Sequence, residues 1–236
     1  MSKYFKSMTK IVKKTEAPKD FKMSGPMKIS LKDRCAFSVP AGPKFSCPGA
    51  TEACEGCYAQ KRRHLWGPVQ KVMAANWRLL KKFERYNQTD QAVHTILKSM
   101  RKDSKVFRLY ESGDFHSQWV IDVWAKVIRE RRDVSFWAYT RSFHLNFTNL
   151  TRNKNFTLWA STDDNNLKHA KQFVRRFRKS GVKHAYGPWE HDKDLPSNSF
   201  VCPVTNHGME LAGACEKCSL CIVKRRTNKH VVFLKH

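Results

Sequence analysis

Two short stretches of this chain carry cysteines at metal-binding spacing. The first reads Cys47-Pro-Gly-Ala-Thr-Glu-Ala-Cys54-Glu-Gly-Cys57-Tyr58-Ala59. Cys54 and Cys57 can grip one metal centre from a tight turn, and Cys47 can reach it across the Pro48-Gly49 bend. Thiolate sulfur is the soft donor preferred by iron–sulfur clusters and by zinc. Cys35 lies twelve residues before Cys47; it would either close the site as a fourth ligand or sit in the core as a plain buried thiol. The second stretch is Cys215-Glu-Lys-Cys218-Ser-Leu-Cys221, with Cys202-Pro203 upstream. Those four thiols make a closed set, for a [4Fe-4S] cluster or, as the alternative, for zinc. His207 would either substitute as a ligand there or, on the plainer reading, be an exposed loop histidine.

The elements that must position these thiols follow from the hydrophobic pattern. Residues 1–26 are basic and end at Ser24-Gly25-Pro26, the mark of a flexible arm. Met27 to Leu31 reads as a first strand, and a Cys/Pro/Gly-rich loop follows to Gly56. Helices are expected over 58–85, with a break at Gly67-Pro68, and over 90–100, 118–131 and 166–179. Strands are expected over 105–111, 134–140, 157–161, 183–187 and 230–234. Strands alternating with helices imply parallel βαβ units with right-handed crossovers. The fold class is therefore α/β, as a partial (β/α) barrel over 27–200 or a flat doubly wound sheet, with a cysteine-rich metal-binding extension over 201–236.

The bulk composition points the same way. A chain of 236 residues that is 41% hydrophobic and 28% charged is globular. Its 45 Lys+Arg against 20 Asp+Glu give a net charge of +25, a field that draws polyanions. Nucleic acid, DNA or RNA, is the expected partner. Lys61, Arg62 and Arg63, and Lys224, Arg225 and Arg226 beside the second cysteine run, are the patches expected to contact phosphates. The plain reading of any such run is a solvated face. The Lys-rich start has no apolar run of secretory length, and no stretch is long enough to span a membrane. A cytoplasmic protein is expected, and in a reducing cytosol clustered thiols favour metal over disulfides.

Further motifs complete the picture: Cys47-Pro48-Gly49, Cys57-Tyr58-Ala59, Ser112-Gly113-Asp114-Phe115, Ala138-Tyr139-Thr140 and the run from Cys215 to Cys221. In this order the sequence resembles the radical SAM superfamily, and more closely a radical-SAM-like family of uncharacterised phage gene products. The resemblance covers roughly residues 30–225. It implies that Cys47, Cys54 and Cys57 hold a [4Fe-4S] cluster with one iron open. S-adenosylmethionine would chelate that iron, and one electron from an external donor would cleave it to a 5′-deoxyadenosyl radical. Asp114 or Glu111 would act at the catalytic centre. Tyr58, Ser112, Gly113, Asp114, Thr140 and Ser161 would line the cofactor site, with Arg141 and Asp163 at its mouth. It also implies a phage-encoded protein of the host cytoplasm. Three departures stand out: the spacing is Cys-x6-Cys-x2-Cys rather than Cys-x3-Cys-x2-Cys, Gly56 replaces the aromatic before the last cysteine, and the carboxylate is Asp.

Two functions remain open on the residues alone. One is a radical-SAM-type enzyme acting on nucleic acid or nucleotides. The other is a non-catalytic nucleic-acid-binding or host-directed protein whose metal sites are structural.

Overall fold

The computed structural model describes residues 3–24, 35–190, 194–206, 208–210, 213–223 and 227–235. Its centre is a βα series: β1 (Val106–Arg108), α4 (Gln118–Glu130), β2 (Ser135–Thr140), α5 (Thr148–Thr151), β3 (Phe156–Thr162), α6 (Leu167–Arg176) and β4 (Lys183–Trp189). Before it come α1 (Lys3–Lys14), α2 (Gly67–Arg85) and α3 (Thr89–Ser99). After it come β5 (Ser199–Val201), α7 (Ala214–Cys218) and β6 (His230–Leu234). The strands form one six-stranded sheet in the order β1-β2-β3-β4-β6-β5, with every pairing parallel.

Residues 35–39 run beside β1. Phe37 N donates to Arg108 O, Glu111 N to Phe37 O and Val39 N to Ser112 O, each at 3.0 Å. The strand expected over 27–31 lies outside the described residues.

The two faces of the sheet follow from the period of two along each strand. Phe136, Ala138, Phe156, Leu158 and Ala160 enter the main core with Phe107, Val120, Trp124, Ile128 and Phe173 from the flanking elements. The alternate residues Trp137, Tyr139, Trp159, Ala185 and Val231 face the other way, against the cysteine-rich C-terminal segment. That segment is therefore a layer over the sheet. It is also tied into it, because β6 lies between β4 and β5. After β4 the chain enters β5 at Ser199.

The N-terminus corrects the flexible-arm expectation. Lys3–Lys14 form α1, which buries Tyr4 and Met8 against Met73 and Ala74 of α2. Charge masked this in the sequence: two apolar residues at i, i+4 spacing suffice to anchor a helix otherwise coated with lysine. The helix expected from residue 58 begins only at Gly67, with Pro68 in its first turn where the missing N–H costs nothing. Short 3-10 turns fill 58–60 and 62–65.

Candidate metal and substrate site

The loop carrying Cys47, Cys54 and Cys57 lies over the C-terminal ends of the strands, where α/β folds bind ligands. Three ties hold it there. Thr51 Oγ1 donates to Asp163 Oδ2, just past β3, at 2.8 Å. Gly49 packs so tightly on the Arg141 carbonyl past β2 that a Cβ would collide with it. Ser46 Oγ donates to Pro40 O at 2.7 Å and accepts from Asp114 N at 3.3 Å, past β1. Gly113 makes this last approach feasible: its φ is +94°, and a Cβ would strike Ser46 Oγ and Val39. On the far side α1 braces the loop, with Ala41 N donating to Tyr4 Oη at 3.0 Å.

Cys57 lies close enough to act on the ionisation of Cys47, and Cys54 on that of Cys57. Burial, then Asp114, push the Cys47 thiol up to about 12, with Cys57 adding to the rise. Burial also raises Cys57, and Cys54 adds to it while Arg141 and Lys61 oppose. In the C-terminal segment, burial, Cys202, Cys215 and Cys218 together push Cys221 up to about 12, although a hydrogen bond with Tyr139 opposes the rise. This second run is pinned to the sheet by Trp159 Nε1 donating to Cys221 O and Thr157 Oγ1 to Ile222 O, both at 3.0 Å. Ser219, at φ 53°, turns the chain from α7 to Cys221. No cysteine is in a disulfide. Among the described residues, no group of three or more His, Cys, Asp or Glu side chains is gathered around a point where a metal ion could bind. Cys35 is fully buried with Trp137 and Ile222, and Cys215 packs against that group.

The residues expected around the first site are largely engaged with protein. Asp114 accepts from Thr140 Oγ1 at 2.7 Å, Phe115 N at 2.7 Å and Arg141 N at 2.8 Å. Burial nevertheless raises its carboxyl to about 6, against those three donors. It does not cap α4, whose N-cap is Ser117. The Glu111 carboxylate pairs with Arg63, and its carbonyl accepts from Tyr58 Oη. Arg63 is thus committed to Glu111, while Lys61 and Arg62 are exposed beside it. Ser112 Oγ donates to Val39 O at 2.9 Å. Ser161 lies near the end of β3, its carbonyl accepting from Asn166 at 3.0 Å. Arg141 and Asp163 form an ion pair at 2.8 Å. Lys224, Arg225, Arg226 and His207 lie outside the described residues.

Arg108 is the residue that pattern reading missed. It sits on β1 between the two cysteine groups, donating to Tyr58 Oη at 2.9 Å and lying over the Tyr139 ring at 5.5 Å. Burial works against its charge, but Tyr58, Tyr139, Glu111 and Cys215 outweigh it and hold the guanidinium protonated. Among the described residues, its Nε has no hydrogen-bond partner. A half-buried cation with an unused donor beside Cys215 suits an anionic group. The signal in sequence was one arginine inside an otherwise apolar-alternating strand.

Comparison with known proteins points to a family of phage gene products. The family model described as "Gene product 88" matches residues 5–224. Gene 88 protein of Mycobacterium phage L5 is 32% identical over 205 residues, covering 81% of this chain and 84% of that protein. Gene 88 protein of Mycobacterium phage D29 is 32% identical over 214 residues with the same coverage. No solved structure matches significantly.

Proposed function

The chain belongs to the Gene product 88 family of phage proteins, and from that premise we propose that it is an iron–sulfur protein of radical-SAM-like type. The observation that carries the reading is one loop presenting Cys47, Cys54 and Cys57 above the C-terminal ends of parallel strands. The consecutive order of β1 to β4 is also that of a partial barrel. Cys47, Cys54 and Cys57 would hold one four-iron cluster, and Cys202, Cys215, Cys218 and Cys221 a second. When bound, a cluster with an open iron supplies the electron for reductive cleavage of S-adenosylmethionine. Tyr58, Arg63 and Glu111 would wall the site on one side, and Thr140, Arg141 and Asp163 on the other. Asp114 would act as a positioning residue, fixing the turn after β1 to the end of β2. Anaerobic reconstitution followed by an assay for 5′-deoxyadenosine tests the reading. A full cluster complement that cleaves no S-adenosylmethionine under strong reductant overturns it.

A second reading draws on the engagement of Asp114 and Glu111 with protein donors. With no carboxylate left for an incoming amine, the thiol sites would be structural in a nucleic-acid-binding protein. Protein that retains its iron, binds nucleic acid with steep salt dependence and never cleaves S-adenosylmethionine is the outcome that selects it.

A further inference from the structure

We propose that the groove flanking the Cys47 loop is a binding site for the phosphates of a nucleotide or nucleic acid. The groove encloses about 540 Å³ between the Gly49–Thr51 turn, the β2–α5 connection and α6. His169, Gln172 and Arg176 recur at three- and four-residue steps along α6 and so share one face of it, aimed into the groove. His144 reaches in from the opposite wall, and Arg141 lines the end nearest the thiols. His144, His169, Gln172 and Arg176 are all exposed to an incoming ligand.

Two carboxylates near this groove already have partners. Asp163 is held by Arg141 at 2.8 Å and by Thr51 at 2.8 Å, and Glu52 accepts from Asn165 at 3.2 Å. What remains toward the open volume is guanidinium, imidazole and amide, which are donors suited to phosphate oxygens. A sulfonium cofactor carries positive charge and is a poor match for that lining. Phe143 rests against Phe173 with ring centroids 5.0 Å apart and lines the same groove, so an aromatic surface is available beside the donors for a base. The net charge of +25 would concentrate polyanions at such a groove. The inference names the substrate class for the site proposed above and rests on that reading only for what becomes of the bound molecule.

The test uses the full chain and a fluorescein-labelled single-stranded RNA or DNA of about 12 nucleotides, read by anisotropy across a salt series. Arg176→Gln should weaken binding and lower the slope of log affinity against log salt by about one. His169→Gln should also weaken it, while Lys13→Gln on the exposed end of α1 should leave the slope unchanged. Adenosine monophosphate as competitor separates the sources: displacement assigns the groove to a mononucleotide, and failure to displace assigns it to the polymer. Equal losses from Lys13→Gln and Arg176→Gln, or no binding by the unaltered protein, overturn the proposal. Arg176→Gln also separates it from the cluster reading, because that variant should lose affinity for the labelled strand yet keep the iron content of the unaltered protein.

Discussion

The guanidinium of Arg108 donates to the hydroxyl of Tyr58 at 2.9 Å. This one bond joins β1 to the residue that follows Cys57, and on its other side Arg108 faces Tyr139 and the charge of Cys215. Arg108, half-buried, thus bonds the neighbour of Cys57 and feels the charge of Cys215, although Cys57 and Cys202, the near ends of the two cysteine groups, stand 145 residues apart in the chain.

If both groups hold clusters, Arg108→Gln should lower their reduction potentials. Losing a nearby positive charge disfavours the added electron. At an effective dielectric of about 20, a unit charge several ångströms away is worth on the order of 50–100 mV. Redox titration followed by electron paramagnetic resonance would read the shift, and unchanged potentials would contradict an electrostatic role for Arg108.

Cys57→Ala should release the iron of the N-terminal site, whereas Cys35→Ala should retain it. Cys35 is buried with Trp137 and Ile222 on the face that carries the C-terminal cysteines. Iron and acid-labile sulfide per chain decide the matter. Loss of the N-terminal cluster in Cys35→Ala would show that it closes that site.

Asp114→Asn should destabilise the fold by about 1–3 kcal/mol, because an amide has one acceptor oxygen where the carboxylate uses two, leaving a buried donor unmet. Asp114→Ala, which strands all three donors, should cost more. Urea unfolding at fixed metal content measures both.

Acid should loosen the sheet at His184. Burial, then His230 and Lys171, hold its imidazole down to about 4; Thr162 Oγ1 is 2.9 Å from Nδ1. An unfolded chain takes up that proton at about pH 6.5. Between those values the unfolded state binds more protons, so this contribution is complete above roughly pH 6.5 and is lost as the pH falls through 4. Asp114, raised to about 6, works in the opposite sense over its own range. The clean measurement is therefore a difference: thermal melts of His184→Gln should fall less steeply with acid than those of the unaltered chain.

Much of the architecture was legible in the residues. Alternating apolar strands and amphipathic helices marked the βα series, and its boundaries moved by only a few residues at β2, β3 and α4. β1 is shorter than expected, since Tyr110 at φ 55° turns the chain out of the strand. The helix α1 was hidden because a lysine-rich composition says nothing about two anchoring side chains until their receptor on α2 exists.

Residue order alone sets which chemistry the chain can offer: thiols at fixed short spacings, a large positive charge, and strands of period two. Those are local properties, set by residue type and by neighbours a few positions away. Which groups meet is settled by the way the elements pack. Folding brought Cys35 to the face of Cys215, turned Asp114 and Glu111 toward protein partners, and set Arg108 between two distant cysteine groups. The reason is that parallel pairing brings residues from distant crossovers to one end of the sheet, and no spacing along the chain records which will arrive together.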